Sequence, residues 1–187
     1  MLLQSCEEGF LRGDWQLVHS ITYEGAGGRG TTAIGVMVLK SGTVSTALMG
    51  VEGLALFEAV QEPGKEPLVT RALPPFDNPA FAAGLLADVT DILLPPAGDL
   101  LLVGRLEGGE TICRYGSKNG RESDVIVAAD GSRSLEVYRD GRRIRAIDYG
   151  PWSVVEGMNF AQDIQLTAWG VRGYSLNMTL ISAEKIE

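Results

Sequence analysis

The chain has 187 residues, 45% hydrophobic and 21% charged, a composition able to bury a core rather than remain disordered. Its 16 Lys and Arg against 24 Asp and Glu leave a formal charge of −8 and a pI near 4.7. That excludes generic nucleic-acid binding, which needs a basic face to displace counterions from phosphate. At this length one domain over residues 1–187 is expected, and no apolar run approaches the ~18 residues that span a bilayer.

In chain order, Leu2, Leu3, Cys6 and Phe10 recur at helical spacing and predict a weak helix over Leu2 to Leu11. The same stretch contains Leu3-Gln4-Ser5-Cys6, which has the shape of a bacterial lipobox and makes Cys6 a lipidation candidate. Only five residues precede Cys6, and no complete signal peptide is visible, so an amphipathic turn is the competing reading. Membrane association is expected only through a lipidated Cys6, and then only if the sequence is a truncated one.

Short strands follow. Trp15, Leu17, Ile21 and Tyr23 alternate with polar residues. Thr31 to Lys40 and Thr43 to Leu48 flank Ser41-Gly42, read as a two-residue hairpin turn. Gly53 to Val60 and Leu68 to Leu73 are two further strands around a Pro- and Gly-containing loop at Glu62 to Pro67. Thr111 to Tyr115 is another. Asp130-Gly131 and Asp140-Gly141 separate strands at Val125 to Ala129, Ser134 to Arg139 and Arg143 to Tyr149, and Tyr174 to Leu180 alternates cleanly at the end. About ten strands joined by tight turns imply antiparallel pairing. Gly, 24 of 187 residues against a usual share of about 7%, fits such a turn-rich chain.

One segment departs from this pattern. Asp77-Asn78-Pro79 is a helix start, and Phe81, Leu85, Leu86, Val89, Ile92 and Leu93 form a stripe at 3.6 spacing until Pro95-Pro96. Asp88 and Asp91 lie off the stripe and are expected to be solvated. Apolar residues on both faces of Ala33 to Leu39 and Leu48 to Phe57 suit a curved sheet wrapped around this helix; strand ends and Gly-rich bends that blur the alternation are the other explanation. The fold class expected is mainly β with one or two helices, a curved antiparallel sheet forming an incomplete barrel closed by a helix.

Chemical motifs are sparse. Gly25-Ala26-Gly27-Gly28-Arg29-Gly30 matches GxGxxG, but a strand rather than a helix follows, so it reads as a hairpin loop. His19, the single His, lies on an apolar strand face and is expected to be structural, and no GxSxG elbow is present. Cys6 and Cys113 lack metal-site spacing; a bridge between them is open, without support from sequence. Arg139, Arg142, Arg143 and Arg145 form a local basic cluster, suited either to an anionic headgroup or partner carboxylates, or to a charged strand edge. No enzyme activity, cofactor or metal is expected.

The order of a helix fragment, meandering strands, one inserted helix and more strands is similar to LolA and LolB and to small LolB-like envelope lipoproteins. The residues that carry it are Trp15-Gln16-Leu17-Val18-His19, Gly53-Leu54-Ala55-Leu56-Phe57, Arg71 to Asp77 leading into the helix, and Ile164-Gln165-Leu166 before Tyr174-Ser175-Leu176. The resemblance implies an incomplete barrel with an apolar cavity, in the periplasm or on the periplasmic face of the outer membrane. It implies an acyl chain or a lipoprotein's lipid moiety as ligand, or an envelope protein as partner. The carrier's Arg-Pro stretch after its first hairpin has no counterpart in Thr31 to Lys40. The expected cavity lining is Leu17, Ile21, Val36, Val38, Leu48, Leu56, Phe81, Leu85 and Val89, with Met37 and Met49 adding adaptability.

Overall fold

A computed structural model describes residues 2–186 other than 26, 27, 29, 171 and 172. Three residues of the GxGxxG match, Ala26, Gly27 and Arg29, therefore lie outside the described residues. In chain order the elements are α1 (Leu2–Glu7), β1 (Trp15–Gly25), β2 (Gly30–Lys40), β3 (Thr43–Met49), β4 (Ala55–Gln61), β5 (Leu68–Ala72) and α2 (Pro79–Leu93). There follow β6 (Asp99–Arg105), β7 (Thr111–Gly116), β8 (Arg121–Val127), β9 (Arg133–Arg139), β10 (Arg142–Tyr149), β11 (Trp152–Val155), β12 (Met158–Ala161), β13 (Asp163–Ala168) and β14 (Tyr174–Lys185).

Twelve strands form one antiparallel sheet in the order β5-β4-β3-β2-β1-β14-β13-β10-β9-β8-β7-β6, and β11 and β12 make a separate hairpin. The first and last strands pair over their whole length, Trp15 opposite Lys185 and Gly25 opposite Tyr174, and so join two meanders. The sheet is not closed: its edges are β5 and β6. These edges flank α2 in sequence, so the chain crosses from one edge to the other over one sheet face, and α2 makes that crossing.

Curvature follows from what α2 touches. Phe81 meets Phe57 of β4 edge to face at 5.3 Å, while Asp91 pairs with Arg121 of β8. In a flat sheet β4 and β8, eight spacings apart, would be about 38 Å from each other. The ten residue steps from Phe81 to Asp91 cover about 15 Å of helix. A sheet that reaches both is bent around α2, as the two-faced apolar strands suggested.

The register explains the core. Trp15, Leu17 and His19 lie opposite Leu39, Met37 and Gly35, and that face continues through Val44 and Leu48 to Phe57. On the other meander, Leu135 and Val137 lie opposite Ile147 and Arg145, and Ile164 and Leu166 continue that face. The apolar side chains of both halves join Leu86, Val89 and Ile92 of α2 in one buried cluster. Asn78 caps α2 by accepting from the Ala80 N–H at 2.9 Å. At its other end the orphan carbonyls of Ile92 and Leu93 accept from the Tyr149 hydroxyl (2.8 Å) and the Leu11 N–H (2.7 Å).

The turns are of two kinds. Ser41-Gly42 and Asp140-Gly141 have positive φ at both central residues, as a two-residue hairpin of matching twist requires. Asp130-Gly131 is not a two-residue turn: Ala128 N–H bonds Ser132 O at 2.9 Å and Gly131 N–H bonds Ala128 O at 3.1 Å, a three-residue loop ending in a left-handed glycine. The same pair of bonds recurs at Leu106 to Glu110 and Ser117 to Arg121.

Candidate functional site

Helix α2 presents two stripes. The large one, Leu86, Val89, Ile92 and Leu93, is buried in the core. The other runs through Ala83, Ala87, Thr90, Asp91 and Leu94, again at helical spacing, and borders a cleft of about 300 Å³. Gln61, Glu66 and Pro67 flank it on the β4–β5 side, Arg121, Ser123 and Leu135 on the β8–β9 side, and Pro95, Pro96 and Ala97 close its end. The cleft is the gap that the unclosed barrel leaves beside its helix. Its volume is at the low end for small-molecule pockets, with small apolar residues on the helix and a few polar groups opposite.

A second, small cavity of about 20 Å³ lies at the edge of the core, bordered inside by Leu17, His19, Ile92, Tyr149 and Phe160 and outside by Gly9, Trp152 and Asn159. It has room for about one water. Burial pushes the His19 imidazole down to about 4, which keeps it neutral.

Beneath the cleft is an ionic cluster. Arg145 of β10 reaches Asp88 at 2.8 Å and Asp91 at 3.0 Å, and Arg121 pairs with Asp91 from β8. Arg145 Nε and Asp88 Oδ1 are close without a hydrogen bond aligned between them, so that contact is one of charge. Tyr174 donates its hydroxyl to Asp88 Oδ2 at 2.5 Å. Asp88 is only 3% exposed, and burial pushes its carboxyl up to about 6 against the pull of Arg145 and Tyr174. Two expectations are corrected here. Asp88 and Asp91 are not solvated, because β8 and β10 carry their counter-charges to the helix. Nor do the four arginines act as one cluster. Arg145 faces inward, while Arg143 pairs with Glu136 at 2.6 Å and lies 4.4 Å over Trp169, and Arg139 and Arg142 sit opposite each other at the hairpin.

Of the nine residues expected to line a cavity, none borders the cleft. Leu17, Leu48 and Val89 are buried in the core, and Ile21, Phe81 and Leu85 pack against it. Val36 and Val38 pair with Val18 and Gln16, in alternation with the buried Met37 and Leu39, so they lie on the outer face. Leu56 is the extra residue where the register shifts between the Leu48–Phe57 and Met49–Ala55 pairs. Met37 is buried and Met49 half-buried. The stripe at 83, 87, 90, 91 and 94 is legible by its helical spacing, with Ala83, Ala87 and Thr90 its small members; weighing only large apolar positions misses it.

Cys6 is fully buried and bonded to Cys113 of β7, which fastens α1 to the sheet. Its sulfur is committed, which overturns its reading as a lipidation site and settles the pairing that sequence left open. Arg133 strengthens the attachment: it donates to Ser5 O at 2.6 Å and lies over the rings of Phe10 and Trp152 at 5.0 and 5.7 Å.

No family model and no curated protein matches the sequence. Solved structures do resemble the fold. A LolA superfamily protein from Nitrosomonas europaea matches at a TM-score of 0.61 with 13% identity, over 100% of this chain and 92% of that one. A domain described as an outer membrane lipoprotein-sorting protein, from Vibrio parahaemolyticus, matches at 0.55 with 14% identity over 97% and 88%. A DUF1329 family protein from Desulfovibrio piger matches at 0.54 with 12% identity over 98% and 88%. The chain therefore has the fold of the LolA superfamily structures, an open antiparallel sheet bent around one inserted helix.

Proposed function

We propose that the chain is a lipid- or lipoprotein-binding protein of the bacterial envelope, acting in the periplasm or on the periplasmic face of the outer membrane, without catalysis. The observation that carries this reading is the cleft between α2 and the sheet flanks, where Ala83 and Ala87 leave room that larger side chains would fill. An acyl chain laid along the small-residue stripe gains ~0.8 kcal/mol for each methylene removed from water. Arg121 and Ser123 on the β8 side and Thr90 on the helix supply polar groups for an ester end. The Vibrio parahaemolyticus neighbour, described as a lipoprotein-sorting domain, is consistent with such cargo.

A second reading rests on the tight packing under α2: Phe57, Leu86, Ile92 and Leu135 are at most 2% exposed. An interior so well filled also suits a scaffold that binds an envelope protein by its surface.

Native mass spectrometry of freshly purified protein separates the two. Lipid adducts support the carrier; a clean apo mass with a stable protein complex supports the scaffold. For the carrier, Ala87→Trp fills the cleft from a half-buried position outside the core cluster. It is expected to weaken uptake of a fluorescent fatty acid by about tenfold or more, equivalent to about 1.4 kcal/mol, while the unfolding midpoint stays near wild type. Undiminished uptake overturns the cleft as the site.

A further inference from the structure

We infer that Arg139 and Arg142, with Arg121 beside them, form a binding site for a phosphate group next to the cleft, so that the cargo is an acyl lipid with a phosphate head. This deepens the lipid reading and rests on it. Arg121 opens β8, Arg139 ends β9 and Arg142 opens β10. The register sets Arg139 opposite Arg121 on one side and opposite Arg142 on the other. Directly opposed residues share a sheet face, so the three side chains leave the same face in a row about 10 Å long. It is the face that α2 covers. Arg121 reaches Asp91, and Val137, two residues before Arg139, is fully buried. Arg121 and Ser123 also border the cleft, so the row begins in its wall.

The charges on this face do not balance. Asp88 and Asp91 of α2 neutralise Arg145 and Arg121. Arg139 and Arg142 are exposed and have no ion-pair partner among the described residues. Asp140, in the turn between them, pairs with neither; its carboxylate lies against Gly120, Oδ1 2.8 Å from where a Cβ would stand. Glu122 and Glu136 are opposite Tyr138 and Asp124, on the other face. Like charges directly opposite each other on a sheet cost stability. A guard against stray strand pairing would explain them at an edge, but β9 and β10 are interior strands, each paired on both sides. An anion held by both guanidinium groups relieves the repulsion, and guanidinium forks match phosphate oxygens two at a time. A phosphate monoester brings about −1.5 to −2 charge and three acceptor oxygens, enough for two unpaired cations, where a fatty-acid carboxylate brings a single charge. The far wall of the cleft, with Gln61, Glu66 and Pro67, carries an acid and no cation, which turns the phosphate end toward the arginines.

The test is calorimetric titration of the full chain with three probes, each below its micelle concentration: oleoyl lysophosphatidate (chain and phosphate), monooleoylglycerol (chain alone) and glycerol phosphate (head alone). The wild type is expected to bind lysophosphatidate about tenfold or more tighter than monooleoylglycerol. Arg139→Gln/Arg142→Gln should abolish that preference and leave monooleoylglycerol binding unchanged. Its unfolding midpoint should not fall, since both residues are exposed and face a like charge. The double variant moves the net charge from −8 to −10. Arg105→Gln/Lys185→Gln makes the same change elsewhere and should keep the preference, which separates a local site from general attraction. A wild type without the preference, or a preference that survives loss of both arginines, overturns the inference. Ala87→Trp separates this site from the acyl reading. Glycerol phosphate that binds through both arginines and ignores Ala87→Trp, with monooleoylglycerol unbound, upholds the phosphate site for a free phosphate and removes the acyl cleft. Protein that floats with phosphatidylglycerol vesicles through these arginines, yet extracts no lipid, assigns the row to a membrane surface and overturns it as a cargo site.

Discussion

Between pH 4 and 6.5, two buried groups act on stability in opposite directions. Asp88 has its carboxyl raised from 3.8 to about 6 by burial, so the folded protein holds that proton longer than the unfolded chain does. Its contribution is fully present below pH 3.8 and is lost as pH rises through 6. His19 is lowered from 6.5 to about 4, so the unfolded chain takes up its proton first. Its contribution is fully present above pH 6.5 and is lost as pH falls through 4. Each shift spans a little over two pH units, about 3 kcal/mol, and the two largely cancel over pH 4 to 6. Asp88→Asn removes one arm while leaving an oxygen to accept from Tyr174. Urea unfolding followed by tryptophan fluorescence, at constant ionic strength from pH 4 to 7, should show the variant gaining about 3 kcal/mol relative to wild type as pH rises. His19→Gln should show the mirror image, gaining on wild type as pH falls. Parallel profiles for wild type and Asp88→Asn would refute the burial argument, because a carboxyl that titrates alike in both states has no pH-dependent effect on folding.

Arg145→Met removes the counter-charge shared by Asp88 and Asp91 and is expected to cost about 3–5 kcal/mol at pH 7, less at pH 5 where Asp88 takes up a proton; an unfolding midpoint within error of wild type at pH 7 would count against the cluster. The Cys6–Cys113 bridge closes a span of 107 residues, for which the chain-entropy account gives about 4–5 kcal/mol. The Cys6→Ala/Cys113→Ala variant and the reduced wild type should therefore lose the same amount in thermal unfolding, and an unchanged Tm on reduction would show that the bridge is not formed in solution.

The parts of the fold legible in the sequence are those specified by local chemistry. Asn78 and Pro79 mark the start of α2, Asp140-Gly141 meets the φ demand of its turn, and the alternation at Trp15, Leu17 and Tyr174 to Leu180 marks strands at the middle of the sheet. The parts missed depend on distant partners. β6 does not alternate because it is an edge exposed almost throughout, and β11 and β12 are too short to show a period. Asp88 and Asp91 read as solvated because their counter-ions arrive from strands more than 25 residues along the chain. Val36 and Val38 read as inward-facing from sequence because an apolar run does not state its own phase. Only the pairing with β1 and β3 shows that Met37 and Leu39 take the core face.

The ties that hold α2 also decide where the cleft can widen. Among the described residues, its polar attachments to the rest of the protein cluster at Asp88, Asp91, Ile92 and Leu93, through Arg145, Tyr174, Arg121, Tyr149 and Leu11. The N-terminal half is held by apolar contact, Phe81 against Phe57 and Phe76. Ring contacts slide with little loss and have no strict geometry, whereas separating a buried ion pair exposes each charge to an apolar surrounding. On the proposed binding reading, room for a larger guest would come from the N-terminal turns of α2 around Ala83, while the 88–93 segment keeps its ties. Displacement there would draw Ala83 away from Glu66 and Pro67 and leave the ionic cluster intact.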